Sequence, residues 1–385
     1  MIPDLSGCKV LLVDDIKENI NILVQALKDE YKLGVALNGE SALQYARSQK
    51  PDLILLDIMM PGMDGFEVSR QLRSDARTRD IPFIFITAID QVENKTAGFE
   101  LGAVDYITKP FEISEVKARV QTHLSLLAAR RRLEDQNRQM RHSLTLAMEV
   151  QQNLIPQTDP VIPAYDISGR TIYCDETGGD YYDYLDMDPD GSGYFGVVIG
   201  DVSGHGIPSA LLMASARAFL RQRISLPGSV SRIVSDVNRQ FSKDVRDSGQ
   251  FMTLFFCCLI PEKKQIIWSR AGHDPAILYE PAAGRFRELV QAGGLPLGIS
   301  GKTPYKESIT TFEPGAVIVL ISDGITETRN ESGEFFGKER VKQIIQQYSN
   351  ESSKNIRNEI IASVELFKGE KTRHDDLTLV VIKAL

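Results

Sequence analysis

Between Pro110 and Pro156 the chain contains neither glycine nor proline. This stretch constrains the fold more than any other feature. Without helix breakers it predicts one continuous helix of about 40 residues, roughly 60 Å long at 1.5 Å per residue. The chain of 385 residues also exceeds a typical single domain, so separate domains are expected on either side of the helix. Leu126, Leu133, Met140, Ala147 and Leu154 recur every seven residues, while Arg130, Asn137, Leu144 and Gln151 form the companion row. One row is apolar and the other mixed. That pattern predicts a modest two-stranded coiled coil and hence a homodimer, with Asn137 fixing register at a cost in stability. The competing expectation is a solvated helix packed on its own domains. Arg130-Arg131-Arg132 is followed by Glu134 and Asp135, which reads as a solvated face.

Several classes are excluded by composition. A net charge of −8 argues against nucleic-acid binding by the chain as a whole. No apolar run approaches a membrane span, and Met1–Leu12 lacks the pattern of a secretory signal. The four cysteines are Cys8, Cys174, Cys257 and Cys258. Adjacent Cys257-Cys258 in a strand would point to opposite faces, which disfavours a disulfide framework. Reduced thiols and a cytoplasmic location are expected.

Residues 1–123 alternate strand and helix patterns. Lys9–Val13, Asp52–Leu56, Phe83–Ile86 and Val104–Ile107 read as strands, and Lys17–Asp29 and Phe66–Arg73 as helices. Such alternation predicts a parallel sheet whose ligands sit at the carboxyl ends of the strands. Asp14-Asp15, Asp57, Thr87 and Lys109 all fall at those ends. Three carboxylates at one edge repel unless a hard cation such as Mg²⁺ joins them. Lysine and threonine suit a phosphate, and a carboxylate can form an aspartyl-phosphate. The ordered set, with the Met60-Pro61-Gly62-Met63-Asp64-Gly65 loop, resembles the response-regulator receiver domain over residues 7–123. The resemblance implies a flavodoxin-like, five-stranded parallel sheet. It implies that Asp57 accepts a phosphoryl group from a sensor histidine kinase. Asp14, Asp15, Asp57 and the Met59 carbonyl would hold Mg²⁺, Lys109 would contact the phosphoryl group, and Thr87 and Tyr106 would form the switch.

Residues 157–385, beyond the 124–156 connector, cluster strands without regular alternation. Phe195–Ile199, Phe251–Ile260, Gln265–Ser269, Ala276–Tyr279, Val317–Ile321 and Leu377–Ile382 read as strands. Ile207–Ile224, Val230–Val245, Gly337–Gln347 and Lys354–Lys368 read as helices. Packed sheets with helices outside are expected. Acids stand at the strand junctions: Gly178-Gly179-Asp180, with Asp183 close behind; Gly200-Asp201-Val202-Ser203-Gly204-His205-Gly206; Ser322-Asp323-Gly324; and Asp375-Asp376-Leu377-Thr378. Such scattered acids make chemical sense around two cations that clamp a phosphate and activate a water. Oxygen-rich shells select Mg²⁺ or Mn²⁺, and no Cys/His cluster suggests zinc.

With Gln151–Pro156, Phe251-Met252-Thr253, Ala271-Gly272-His273 and Pro296-Leu297-Gly298, these pieces resemble the metal-dependent serine/threonine phosphatases of the SpoIIE-like branch. The resemblance implies an α+β phosphatase sandwich flanked by helices and two Mn²⁺ or Mg²⁺ ions. Asp180, Asp201, Asp323 and Asp375 would be the catalytic metal ligands, joined by the Val202 carbonyl. Asp375 fits the family pattern better, and Asp376 stays open as the alternative. The early phosphate-binding arginine of the larger eukaryotic relatives is not evident. His205 and His273 read as structural more than catalytic, and Asp183 as either a supporting or a capping acid.

The expected whole is a two-component phosphatase acting on a phosphoserine or phosphothreonine protein. By resemblance that partner is a STAS-type anti-sigma-factor antagonist. A shift of the connector is expected to reach Asp201 through the helix that follows it. The alternatives are a catalytically silent dimeric binding module of the same fold and a cyclic-dinucleotide synthase suggested by Gly178-Gly179-Asp180. The tyrosines at 181 and 182 and the unused acids disfavour the synthase.

Overall fold

The computed structural model describes residues 4–88, 101–187 and 194–385. The chain divides into two units, Met1–Met140 and Arg141–Leu385. In the first, β1 (Lys9–Val13), α1 (Lys17–Leu27), β2 (Lys32–Ala36), α2 (Gly39–Gln49), β3 (Leu53–Asp57), α3 (Gly65–Ser74), β4 (Phe83–Ala88) and β5 (Asp105–Lys109) lead into α4 (Ile113–Gln152). The five strands are parallel, in the order β2-β1-β3-β4-β5. Strand side chains alternate between faces. Val10, Leu12, Leu53, Leu55, Ile84 and Ile86 meet one helical layer that includes Val116, Val120 and Leu124 of α4. Leu11, Val13, Ile54, Leu56, Phe83 and Phe85 meet α2 and α3 on the other. Helix α3 starts where the Asp64 carboxylate accepts from the Glu67 amide at 2.7 Å.

Elements β2 and α2 have no counterpart in the sequence reading. Strand β2 is a sheet edge, with Lys32 and Val35 exposed. It carries Gly34, where a Cβ would lie 2.3 Å from the Tyr45 ring. Edge position and a central glycine erase the apolar run expected of a buried strand.

Helix α4 runs unbroken for 40 residues. Leu126, Leu133 and Met140 of the heptad row are exposed. Arg130 pairs with Glu134 at 2.9 Å and Arg131 with Asp52 at 2.6 Å, as a solvated basic face should.

The second unit comprises β6 (Val161–Ile162), β7 (Tyr165–Ile172), β8 (Tyr181–Asp186), β9 (Phe195–Val202), α5 (Ile207–Ile224), α6 (Val230–Asp244), β10 (Met252–Ile260), β11 (Gln265–Ala271), β12 (Ile277–Glu280), β13 (Arg285–Glu288), β14 (Gly293–Gly294), β15 (Ser308–Thr311), β16 (Val317–Ile321), α7 (Asp323–Glu327), α8 (Gly337–Tyr348), α9 (Ser353–Lys368) and β17 (Leu377–Ala384). One sheet has the order β14-β11-β10-β9-β8, with β15 on β11, and the other β13-β12-β16-β17-β7-β6. Ile318, Leu320, Val380 and Ile382 point into the core between the sheets. Val317, Val319, Leu379 and Val381 point the other way, onto α8 and α9. Helices α5 and α6 cover the first sheet. Phe255 and Trp268 stack at 5.5 Å within the core. The four cysteines are free thiols, and Cys257 and Cys258 are buried.

Asp183 is fully buried on β8. It accepts two bonds of 2.7 Å from Arg221 of α5 and one of 2.9 Å from the Tyr181 hydroxyl, with Arg217 at 3.7 Å. It is therefore an anchor for α5, the helix that leaves the Asp201 loop. Arg221→Ala leaves that carboxylate with one distant cation. The expected loss is on the order of 3 kcal/mol, read as a lower urea midpoint at unchanged m-value.

Candidate active site

At the carboxyl edge of the first sheet, carboxylate oxygens of Asp14, Asp15 and Asp57 lie within 4.8 Å of one another. Among the described residues this is the one such grouping of acids, histidines and cysteines. Lys109 reaches in from the end of β5, with its Nζ 2.8 Å from Asp14 and 2.9 Å from Asp57. Asp14 is also held by the Ile16 amide at 2.8 Å and by Asn19. Burial raises the Asp57 carboxyl above the usual range, Asp14 adds to this, and Lys109 and the Met59 amide oppose it. Asp15 Oδ1 is buried without a hydrogen-bond partner. An orphaned carboxylate oxygen beside two further acids fits a hard cation. Thr87 is buried at the end of β4. Tyr106 is half-buried on β5, with the Arg119 guanidinium 5.7 Å from its ring. Met59 is exposed on the loop after Asp57.

In the second unit, four strand ends carry the acids together. Asp180 precedes β8, Asp201 is the penultimate residue of β9, Asp323 follows β16 and Asp375 precedes β17. Antiparallel pairing of β8 with β9 and of β16 with β17 puts these termini at one end of the sandwich. Asp180 is buried, and its Oδ2 accepts from Ser322 at 2.8 Å. The Ser322 hydroxyl also accepts from the Thr378 amide at 3.0 Å. One serine thus ties β8, β16 and β17 together. Asp323 and Asp375 face solvent.

Asp376 is buried and points inward. Its oxygens accept from the amides of Cys174 at 2.9 Å and Asp180 at 3.4 Å. A Cβ on Gly178 would sit 1.9 Å from Asp376, and one on Gly179 would sit 2.5 Å from the Val202 carbonyl. Close packing therefore explains the two glycines before Asp180 without a nucleotide.

The electrostatics share one cause. Burial, then Asp323, Asp375 and Asp376, push the Asp201 carboxyl up to about 7. Burial, Asp201 and Asp376 raise Asp180 well above its usual value. Asp323 and Asp375 are also raised, first by partial desolvation and then by their acidic neighbours. Acids crowded with so little cationic relief fit hard divalent ions. His205 is exposed, pairs with Asp175 at 3.0 Å and lies close enough to Asp375 to lower its carboxyl slightly. Asp274 pairs with Lys338 at 3.0 Å. A cleft of about 250 Å³ adjoins Asp375, with Arg329, Arg373 and His374 in its walls.

A contact that the sequence reading missed lies on the connector. The Gln151 amide donates to the Gly178 carbonyl at 2.6 Å and accepts from the Gly178 amide at 3.2 Å. The last turn of α4 therefore grips the loop that carries Asp180. The route expected from the sequence ran instead through Asp201 and α5. The Gln151–Pro156 motif held the signal, without its partner.

The family model for stage II sporulation protein E matches residues 191–385, and the response regulator receiver model matches residues 10–121. The chain belongs to the SpoIIE family. It joins a receiver domain to a SpoIIE-type phosphatase domain, by a long helix. Over 245 residues it is 31% identical to the phosphoserine phosphatase RsbU of Bacillus subtilis, covering 64% of this chain and 71% of RsbU. Over 117 residues it is 45% identical to the response regulator PleD of Caulobacter vibrioides, covering 30% of this chain and 26% of PleD. The SiaA-PP2C domain of Pseudomonas aeruginosa matches in fold with a TM-score of 0.56 at 20% identity, covering 64% of this chain and 98% of that one. No helix among the described residues is long and apolar enough to cross a membrane.

The raised carboxyls predict a pH signature for the metal-free SpoIIE-type domain. Their folded values exceed the unfolded ones, so the folded state binds more protons between about pH 4 and about pH 7. Stability present below that window is lost as pH rises through it. In chelator, the melting temperature should fall across the window, and Asp201→Asn should flatten the slope in a scanning-fluorimetry series.

Proposed function

We propose that the chain is a two-component response regulator whose output is a Mn²⁺- or Mg²⁺-dependent protein serine/threonine phosphatase. The observation that carries this reading is the convergence of Asp180, Asp201, Asp323 and Asp375 from four strand ends, with Asp201 raised to about 7 by burial and acidic neighbours. In this reading residues 1–123 are the receiver, 124–156 the connector and 157–385 the phosphatase.

Asp201, next to all the other acids, would be shared by two cations. Asp180 and the Val202 carbonyl would serve one, and Asp323 and Asp375 the other. Asp375 is preferred to Asp376 because its carboxylate faces solvent, whereas Asp376 is spent on backbone amides. Bound there, such a pair would supply charge for the phosphate oxygens and would make an attacking water more acidic. The protein's own part is orientation: Ser322 fixes Asp180, and Asp376 fixes the Asp180 backbone. The substrate protein would approach along the cleft beside Asp375, whose guanidinium groups suit an anionic partner. By likeness to the phosphoserine phosphatase RsbU the substrate would be a phosphoserine protein, and by the family resemblance it would be of the STAS-type antagonist class.

Control would begin at Asp57, phosphorylated by a sensor histidine kinase with Mg²⁺ held by Asp14, Asp15, Asp57 and the Met59 carbonyl. Lys109 would hold the phosphoryl group, and Thr87 and Tyr106 would respond to it. The signal would end at Gln151, whose amide holds the Asp180 loop. The exposed Leu126, Leu133 and Met140 supply the seam for a homodimer through α4.

The full-length protein with Mn²⁺ should release phosphate from a phosphoserine protein, and Asp201→Ala should lower kcat/KM at least about a hundredfold. Undiminished activity in that variant would sink the metal assignment. A phosphodonor should change the wild-type rate and leave Asp57→Ala unmoved; equal responses would sink the regulatory reading. Leu133→Glu should shift the chain from dimer to monomer in sedimentation velocity.

A further inference from the structure

His273 lies in the seam between the two sheets of the phosphatase domain. Its ring is buried, and both ring nitrogens are engaged. Nδ1 stands 2.8 Å from the Thr253 hydroxyl and Nε2 stands 3.1 Å from the Ile321 carbonyl. A carbonyl only accepts, so Nε2 carries the proton and Nδ1 accepts from Thr253. The two partners belong to different sheets. Thr253, on β10, is directly opposite Asp201 in the ladder with β9. Ile321 ends β16, two residues before Asp323. One imidazole therefore spans from the strand pair that carries Asp201 to the strand that delivers Asp323.

The backbone beneath the ring is itself fixed. Gly272 adopts φ 71°, and a Cβ there would meet Pro296 at 2.4 Å. Its amide donates to the Gly294 carbonyl at 2.8 Å, and Arg270 donates to the His273 carbonyl at 2.6 Å. The turn Ala271-Gly272-His273 leaves β11 in one conformation and aims the ring at the seam. Burial lowers the imidazole to about 4, with Arg270 and Lys338 acting in the same direction and Asp274 and the Ile321 carbonyl opposing. The ring is thus a neutral two-sided linker at physiological pH, and its one proton is held by the Ile321 carbonyl.

We propose that His273 is a positioning residue that sets the separation of the Asp201 and Asp323 strands, and through it the spacing of the cation pair. The inference rests on the two-metal reading above. Ser322 and Asp376 bind β8, β16 and β17 at the site, whereas His273 spans from β10 to β16. Its loss leaves Ser322 and Asp376 to hold Asp180 and removes the tie between the β10 strand opposite Asp201 and the strand that delivers Asp323.

The test is calorimetric titration of full-length protein with Mn²⁺, paired with melting of the metal-free protein and with kinetics on a phosphoserine protein. His273→Leu should weaken Mn²⁺ binding about tenfold or more and lower kcat with little change in KM. His273→Gln keeps one donor and one acceptor and should restore much of both. Thr253→Val should weaken Mn²⁺ binding in the same direction while leaving the ring in place, and it decides the matter if His273→Leu does not fold. A His273→Leu protein that melts lower yet binds Mn²⁺ as tightly as wild type would reduce the residue to a core histidine and overturn the proposal. A Gln variant no better than Leu would also overturn it. If wild type takes up no more Mn²⁺ than an Asp201→Asn variant, in which the receiver site is intact, the two-metal reading falls, and this inference falls with it; that outcome is distinct because no His273 variant enters it.

Discussion

Carboxylates repel one another, and both halves of this chain are built to hold several of them together. In the receiver, Lys109 lies between Asp14 and Asp57 and offsets part of the repulsion. In the phosphatase domain, among the described residues, no lysine pairs with Asp180, Asp201, Asp323 or Asp375. Burial raises acids in both places, Asp57 in the receiver and Asp201, to about 7, in the phosphatase domain. The sandwich imposes this cost by delivering strand termini from two sheets to one edge. The surrounding hydrogen bonds serve to keep the acids from relaxing apart. Ser322, Asp376 and the glycines at 178 and 179 all act on backbone or carboxylate position within a few ångströms of Asp180.

The division of labour within the Asp375-Asp376 pair follows from strand geometry. Consecutive side chains at the entry to β17 point to opposite sides. One carboxylate therefore faces the open edge, while its neighbour is driven inward, where it accepts from two amides. Two adjacent aspartates thus do different work. Their spelling is identical in the sequence, and only the direction of each side chain separates them.

Much of the fold was legible because its strands are buried on both faces. Runs such as Leu53–Leu56 and Val317–Ile321 leave no polar residue to blur them. Helix α5 was delimited by Gly206 before it and by the Pro227-Gly228 break after it. Strands β7 and β8 were harder. Tyr165–Ile172 contains Gly169, packed under the Tyr182 ring, and Tyr181–Asp186 carries a buried acid. That acid is tolerated only because Arg221, 38 residues later, reaches it. Pairings across such distances leave no local trace. The acids at strand ends were visible as motifs, whereas Gln151 holding Gly178 was not, because an amide on a helix looks like any other solvated residue until its partner is known.

Helix α4 has one further consequence, which concerns angle. Gln151 must present its amide to Gly178, which fixes the rotational phase of the last turn. An α-helix turns about 100° per residue. One residue added between Met140 and Gln151 would turn the exposed Leu126–Met140 row by that angle about the helix axis relative to Gln151. Seven added residues would return it to within about 20° of its starting direction. The connector is therefore free to vary in length by whole heptads and is restricted in between, a gearing rule written into its rotation and not its composition.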